Sequence, residues 1–205
     1  MKMLLNFLRW CPGAVGLLLR QKLYPHLLKK CGRKVLFGRF VTLRGYKNIS
    51  IGESVVINDY ALIDAEEYTG TSTGIHIEDG VFIGAGTKLR CSGEEIVIRK
   101  GANLGSECSV FSDRKTVIGE NVLLAAYCRV GGMHASEDDN RTDRKFTTTI
   151  GDGCWLGVRT CLFSGVAVGK GTIIGAHAIV QQGLPAKVIA VGNPAGLHSL
   201  REHHE

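Results

Sequence analysis

The chain has 205 residues, of which 44% are hydrophobic and 21% are charged, and its formal net charge is +6. This composition is typical of one folded domain with a substantial core and excludes a disordered chain. Glycine occurs 27 times and proline only 4 times, which excludes collagen and indicates many tight turns. The 7 cysteines form no CxxC pair, so neither a disulfide framework nor a zinc ribbon is expected, and free thiols suit a reducing cytoplasm.

Residues 1–34 are a basic, apolar leader. Eleven Lys and Arg residues, and no acidic residue, precede Glu53. Large apolar side chains surround these bases, but Arg9, Pro12 and Arg20 interrupt every run before the ~20 apolar residues of a membrane span. We expect two helical segments hinged at the Pro-Gly pair. They either pack on the protein itself or a sister subunit, or contact an anionic membrane surface or a lipid-linked substrate.

From residue 51 onward, an aliphatic residue recurs every six positions. The eighteen members are Ile51, Ile57, Ile63, Ile77, Ile83, Leu89, Ile98, Leu104, Val110, Ile118, Leu124, Val130, Ile150, Leu156, Leu162, Val168, Ile174 and Val180. This period fits neither a helix nor an ordinary strand, and predicts an all-β solenoid in which each hexad forms one short strand and one corner. We place the solenoid at residues 35–184 and a C-terminal extension at residues 185–205.

The residue four places after each aliphatic position is usually small. Three of these small residues are Cys108, Cys128 and Cys154. A small side chain fits the restricted space beside a corner of the solenoid. We therefore interpret these cysteines as core residues rather than nucleophiles.

The largest break in the period lies between Val130 and Ile150, and predicts a loop at residues 131–149. An insertion in a solenoid must project from a corner onto the surface. The loop begins Gly-Gly-Met and continues with His134, and its remaining residues are mostly polar. Imidazole, with a pKa of about 6.5, can take a proton from a hydroxyl nucleophile. His134, on a projecting segment after two glycines, is therefore a candidate catalytic residue.

These repeats resemble the hexapeptide-repeat acyltransferases. The segment IGENVLLAAYCRVGGMH (118–134) and the ending IAVGNPA (189–195) are similar to the O-acetyltransferases of bacterial surface polysaccharides. The resemblance implies a left-handed parallel β-helix, with an N-terminal helical segment added here. It also implies a homotrimer that binds acetyl-CoA between neighbouring solenoids. His134 would be the general base for direct acetyl transfer to a sugar hydroxyl, in the cytoplasm or on the inner face of the membrane.

The resemblance implies further contacts with the two substrates. Asp113 stands where the family has an acid that binds the acceptor. Asn103 is close to the family's acceptor-binding Asn but off register, because Gly105 occupies the aligned position. The contacts with acetyl-CoA would be Ala125, Gly157, Val158 and Ala176. Lys187 or Lys170 would compensate for a family lysine that is Gln182 here.

Other functions remain open on the sequence. One alternative is N-acetylation of an amino sugar or an antibiotic, and another is a non-catalytic trimeric scaffold. A carbonic anhydrase on this solenoid would need closely spaced histidines, whereas His76, His134 and His177 lie far apart, so no metal is expected. Nucleic acid is not an expected partner, because the bases cluster in a mainly aliphatic leader that lacks the regular aromatic interleaving of a stacking platform.

Overall fold

A computed structural model describes residues 7–68, 70, 73–133 and 147–200. Parallel strands form the three sides of a triangular solenoid, and the chain passes repeatedly from sheet 1 to sheet 2 to sheet 3. The predicted left-handed parallel β-helix is confirmed. We name the turns between sheets by the sheets they join: the 1–2, 2–3 and 3–1 corners.

The strands are short and follow one another in register. Sheet 1 contains Lys30–Cys31, Ile49–Ile51, Ile75–Ile77, Ile96–Ile98, Thr116–Ile118, Thr148–Ile150 and Ala167–Val168. Sheet 2 contains Leu36–Phe37, Val56–Ile57, Phe82–Ile83, Asn103–Leu104, Leu123–Leu124, Trp155–Leu156, Ile173–Ile174, Val188–Val191 and the antiparallel Gly196–Leu200. Sheet 3 contains Thr42–Arg44, Leu62–Asp64, Lys88–Cys91, Ser109–Ser112, Arg129–Val130, Cys161–Leu162 and Ile179–Val180.

The core consists of the predicted aliphatic positions. All eighteen are at most 3% exposed. They stack on one another between coils, as where Ile77 is paired with Ile51 on one side and Ile98 on the other. Each coil therefore buries its apolar face against its neighbours, and the hexad period specifies the interior of the solenoid.

The sheets extend beyond the predicted solenoid boundaries. Lys30–Cys31 pairs with Ile49–Ile51 in sheet 1, and Val188–Val191 continues sheet 2. Thr148–Ile150 begins within the predicted loop at residues 131–149. The three-part division of the chain stays a prediction, but both flanking segments contribute strands to the sheets.

The N-terminal segment packs on the first coil. Residues 7–10 are helical, and after a break at Pro12 helix α1 spans Gly13–Leu23 and leads into a 3-10 turn at Tyr24–His26. The interruption lies where the sequence predicted it. The Tyr24 ring meets the buried Phe37 edge to face, with centroids 5.2 Å apart. Among the described helices, none combines the length and apolar character needed to cross a membrane.

Helix α1 buries a charge and exposes apolar side chains. Arg20 is 2% exposed, and its guanidinium donates to the carbonyl oxygens of Leu8, Cys11 and Phe37 at 3.0, 2.8 and 2.9 Å. Val15 and Leu18 are instead 66% and 62% exposed. The guanidinium thus supplies donors to carbonyl groups that the helix ends and the first coil would otherwise leave unpaired.

Candidate active site

The candidate site lies at the 3–1 corner, where segments between strands depart from the regular hexad. Asp113 lies in the turn between Ser109–Ser112 and Thr116–Ile118. One coil later the chain reaches this corner at Gly131, and one coil after that at Ser164. Because coils stack in register, residues distant in sequence become neighbours at the corner.

A small hydrogen-bond network joins these three turns. The backbone N–H of Gly132 donates to Ser164 Oγ at 3.0 Å, and this hydroxyl donates to Asp113 Oδ1 at 3.4 Å. The backbone N–H of Ser164 donates to the carbonyl oxygen of Met133 at 2.9 Å. Asp113 Oδ1 also accepts the backbone N–H of Arg114 at 3.1 Å. The network fixes the positions of Gly132 and Met133 at this corner.

The paired glycines at this exit are required by the backbone. Gly131 and Gly132 have φ of +72° and +68°, a left-handed conformation that glycine adopts readily. A Cβ on Gly131 would collide with the carbonyl oxygen of Phe111, and one on Gly132 would lie 3.0 Å from Phe111 Cβ. The chain therefore leaves the corner tightly packed against Phe111.

His134 follows Met133 directly in the chain and lies outside the described residues. Its role as general base stays a prediction. Asp113, the predicted acceptor contact, lies in the network that fixes Met133. Of the predicted site residues, Asp113 is thus the one that the solenoid brings to the start of the His134 segment.

Asn103, the other residue predicted to contact the acceptor, lies on a different side of the solenoid. Asn103 is exposed on the outer face of sheet 2, between Phe82 and Leu123. Asp113 comes after sheet 3 of the same coil. A single chain therefore does not bring Asn103 and Asp113 together, and a shared role would need a neighbouring subunit.

Four of the five residues predicted to contact acetyl-CoA lie at the 2–3 corner. Ala125, Gly157 and Ala176 occupy this corner in successive coils, and Val158 is exposed beside Gly157. A Cβ on Gly157 would lie 2.5 Å from the backbone nitrogen of Ala176. Small residues here let neighbouring coils approach closely, and the role of these four residues in binding acetyl-CoA stays a prediction.

Lys187, the fifth predicted acetyl-CoA contact, lies away from the other four. It is exposed at the 1–2 corner, where its backbone N–H donates to the carbonyl oxygen of Lys170 at 2.9 Å. The two lysines therefore stand at the same corner in adjacent coils. Within one chain, the two lysines do not lie beside the predicted acetyl-CoA contacts at the 2–3 corner. Contact of a lysine with the same CoA molecule would therefore also need a second subunit.

The cysteines have the surroundings of core residues. Cys108, Cys128 and Cys154 are buried, as predicted, and all seven cysteines of the chain are free thiols. Hydrogen bonding with Cys108, together with burial, raises the pKa of the Cys128 thiol. Burial likewise raises the pKa of Cys91 to about 11. Thiols with raised pKa values are poor nucleophiles at neutral pH.

Metal chemistry finds no support in the described ranges. Residues 7–68, 70, 73–133 and 147–200 contain no group of three or more His, Cys, Asp or Glu side chains arranged to hold an ion. His76 lies on the outer face of sheet 1, paired with Ser50 and Val97.

Two features of the corner were missed by the sequence analysis. Ser164 follows an ordinary hexad position and has no sequence signal of its own. Phe111 lies between the guanidinium groups of Arg90 and Arg129, which are 5.9 and 5.5 Å from the ring centroid. The arginines are separated from Phe111 by about one coil in either direction, so only the stacking of coils brings the three together.

Comparison with known proteins gives a consistent result. The family model for the hexapeptide repeat of succinyl-transferase matches residues 147–182. The galactoside O-acetyltransferase of Escherichia coli K12 is 29% identical over 106 residues, which are 50% of this chain and 52% of that protein. The chain spans about half the length of the curated relatives it matches.

Two solved structures share the fold over most of their length. The polysialic acid O-acetyltransferase OatWY superposes with a TM-score of 0.56 at 16% identity, covering 86% of this chain and 94% of that one. AntD, an N-acyltransferase from Bacillus cereus determined with dTDP and 3-hydroxybutyryl-CoA, gives a TM-score of 0.55 at 18% identity, covering 89% and 88%.

Proposed function

We propose that this chain, which belongs to the hexapeptide-repeat acyltransferase superfamily, transfers an acetyl group from acetyl-CoA to a hydroxyl of a sugar. The acceptor is a bacterial surface polysaccharide or its lipid-linked precursor. The observation that carries the proposal is the network of Asp113, Ser164 and Gly132, which fixes the chain immediately before His134.

The proposed reaction is direct transfer. The imidazole of His134 takes the proton of the acceptor hydroxyl as its oxygen attacks the acetyl carbonyl carbon. The tetrahedral intermediate then collapses with cleavage of the C–S bond, and the imidazolium returns the proton to the departing sulfur. One ester replaces one thioester, and no acyl-enzyme forms. In this proposal, the Asp113 carboxylate accepts a hydrogen bond from another hydroxyl of the acceptor.

We propose a homotrimer whose subunits meet at the outer face of sheet 2. Leu36, Phe82, Leu123 and Trp155 are all exposed on this face, and Leu123 and Trp155 are direct neighbours in the sheet. An apolar stripe of this length is typical of a surface covered by another subunit. The predicted acetyl-CoA contacts at the adjacent 2–3 corner would then lie at the edge of the interface, where CoA could contact two subunits.

We place the protein in the cytoplasm, at the inner face of the membrane. Trp10, Val15 and Leu18 are exposed apolar side chains of the N-terminal segment, and Lys22 is exposed near them. Residues 1–52 contain eleven bases and no acid, a charge that complements anionic lipid headgroups. Apolar side chains flanked by bases are the pattern of a helix that lies on a membrane surface, and this position would give access to a lipid-linked acceptor.

The donor is tested by calorimetric titration of acetyl-CoA into the purified protein, with the molecular mass measured on the same sample. We expect near-stoichiometric binding per chain on a trimer. A Leu123→Lys variant should dissociate the trimer and weaken acetyl-CoA binding together. An intact trimer that binds no acetyl-CoA at millimolar concentration would overturn the acetyltransferase proposal and favour a scaffold.

The product distinguishes O-acetylation from N-acetylation. An O-acetyl ester is cleaved by mild alkali or hydroxylamine, whereas an N-acetyl amide survives both treatments. Acetylated sugars that resist mild alkali would therefore assign the chain to amino-sugar N-acetylation, and AntD, with the same fold, is an N-acyltransferase.

A further inference from the structure

The outer face of sheet 3 differs from the other two sides of the solenoid by its charge. Its strands present four cations and one carboxylate outward: Arg44, Lys88, Arg90, Arg129 and Asp64. In the same coils the outward residues of sheet 2 are neutral, from Leu36 through Asn103 to Trp155. A cationic sheet face beside the candidate active site attracts an anionic ligand.

The centre of this face is an aromatic ring between two guanidinium groups. Arg90 lies directly opposite Phe111 in the strand on one side. Arg129 lies in the strand on the other side, opposite Ser109. Both guanidinium carbons lie within 6 Å of the Phe111 ring centroid, at 5.9 and 5.5 Å. The stacking holds the two cations at a defined spacing on either side of one apolar surface.

The guanidinium groups of Arg90 and Arg129 retain N–H donors for an external ligand. Arg90 Nε lies 3.7 Å from Asp64 Oδ2, and Arg44 lies 3.8 Å from the same oxygen, so two guanidinium groups share one carboxylate. The Asp64 side chain is 9% exposed, whereas that of Arg90 is 45% exposed. For the part of the chain that the structure describes, Arg129 has no carboxylate within ion-pair distance. A guanidinium has five N–H donors, most of which remain available here.

The cluster is continuous with the candidate active site. Phe111 packs against Gly131 and Gly132, from which the chain proceeds to His134. Asp113 follows Phe111 by two residues and belongs to the network at the corner. A ligand that covers the Phe111 ring therefore lies beside the network of Gly132, Ser164 and Asp113.

We propose that the acceptor is an acidic glycan, and that Arg90 and Arg129 bind the carboxylate of a sugar residue whose ring lies on Phe111. This inference rests on the proposed acetyl transfer and adds the class of acceptor. Planar guanidinium groups bind carboxylates in a bidentate manner. A phosphate would use the arginines equally well, but the C–H face of a pyranose ring also uses the apolar surface of Phe111.

The probes are a hexamer of galacturonic acid and its carboxyl-reduced neutral form. Binding to the full chain is measured by calorimetry at 150 mM salt. We expect the acidic hexamer to bind at least tenfold more tightly than the reduced one. Arg90→Gln/Arg129→Gln should lose at least tenfold in affinity for the acidic hexamer, and Phe111→Ala should weaken it while keeping both cations.

A matched control removes two exposed cations elsewhere. Arg33→Gln/Arg99→Gln changes the net charge equally and should bind the acidic hexamer within twofold of the unmodified protein. Acetyl-CoA affinity, measured on every variant, should not change, so failure of the donor site is distinguished from failure of this inference. Thermal unfolding verifies that each variant is folded.

Three results would overturn the inference. One is equal affinity for the acidic and reduced hexamers, which includes the absence of binding to both at millimolar concentration. Another is an unchanged affinity in Arg90→Gln/Arg129→Gln. The third is displacement of the acidic hexamer by equimolar inorganic pyrophosphate, which would identify a phosphate site instead.

Discussion

The solenoid and the N-terminal helix of this protein distribute their side chains in opposite ways. In the solenoid, aliphatic residues such as Ile98 fill the interior, and cations such as Arg129 face outward. In helix α1, Arg20 is buried while Val15 and Leu18 face outward. The comparison shows that one periodic rule specifies the solenoid, whereas the helix is fixed by hydrogen bonds from Arg20 to the carbonyl oxygens of Leu8, Cys11 and Phe37.

The largest effect is expected inside the solenoid. Ile98→Ala removes a fully buried side chain and should lower the free energy of unfolding by roughly 2–5 kcal/mol. Val97→Ala, on the outer side of the same strand, should cost less than about 1 kcal/mol. Urea denaturation measures both. Equal losses at the two positions would contradict the assignment of inner and outer sides.

Arg20 gives the corresponding test for the helix. Arg20→Met fills similar space but leaves the carbonyl oxygens of Leu8, Cys11 and Phe37 without this donor, so we expect a loss of about 3 kcal/mol. Lys22→Met, an exposed position of the same helix, serves as control and should stay within about 0.5 kcal/mol. If the two variants unfold at the same denaturant concentration, the buried guanidinium does not fix the helix.

The outer side of the helix is tested with vesicles. Trp10→Ser and Leu18→Ser should each reduce binding to vesicles containing phosphatidylglycerol at least tenfold, because each removes about 1.5 kcal/mol or more of apolar transfer. Co-sedimentation measures the loss. Leu197→Ser, at an exposed leucine near the C-terminus, should bind normally. Unchanged sedimentation of the helix variants, with a reduced molecular mass, would show instead that this surface contacts a second copy.

The smallest change in stability, with a clear effect on turnover, is expected at the 3–1 corner. Ser164→Ala removes the hydroxyl between Gly132 and Asp113 and should cost about 1 kcal/mol of stability. It should lower kcat about tenfold while leaving the KM for acetyl-CoA unchanged, because it loosens the position of the following segment. Ser106→Ala is an exposed control. An unchanged kcat would remove Ser164 from the account.

The hexad period was sufficient to predict an all-β solenoid, its core and a loop after Val130, whereas the left-handedness came from the family resemblance. The solenoid, its core and the loop each depend on residues a few positions apart. Ser164 and the group of Arg90, Phe111 and Arg129 were not predictable, because their contacts join different coils and no residue among them departs from its local pattern. The burial of Arg20 was not predictable from the sequence for a similar reason, since its hydrogen-bond partners include Phe37 of the first coil.

The central claim is that His134 is the general base of an acetyl transfer, and a single variant tests it most directly. Acetyl transfer to an oligosaccharide panel and acetyl-CoA affinity are measured for His134→Ala, with His76→Ala on the outer face of sheet 1 as control. We predict a loss of transfer by about 10²–10⁴-fold for His134→Ala, an acetyl-CoA affinity within twofold, and normal transfer for His76→Ala. Transfer at the unmodified rate by His134→Ala would contradict the account.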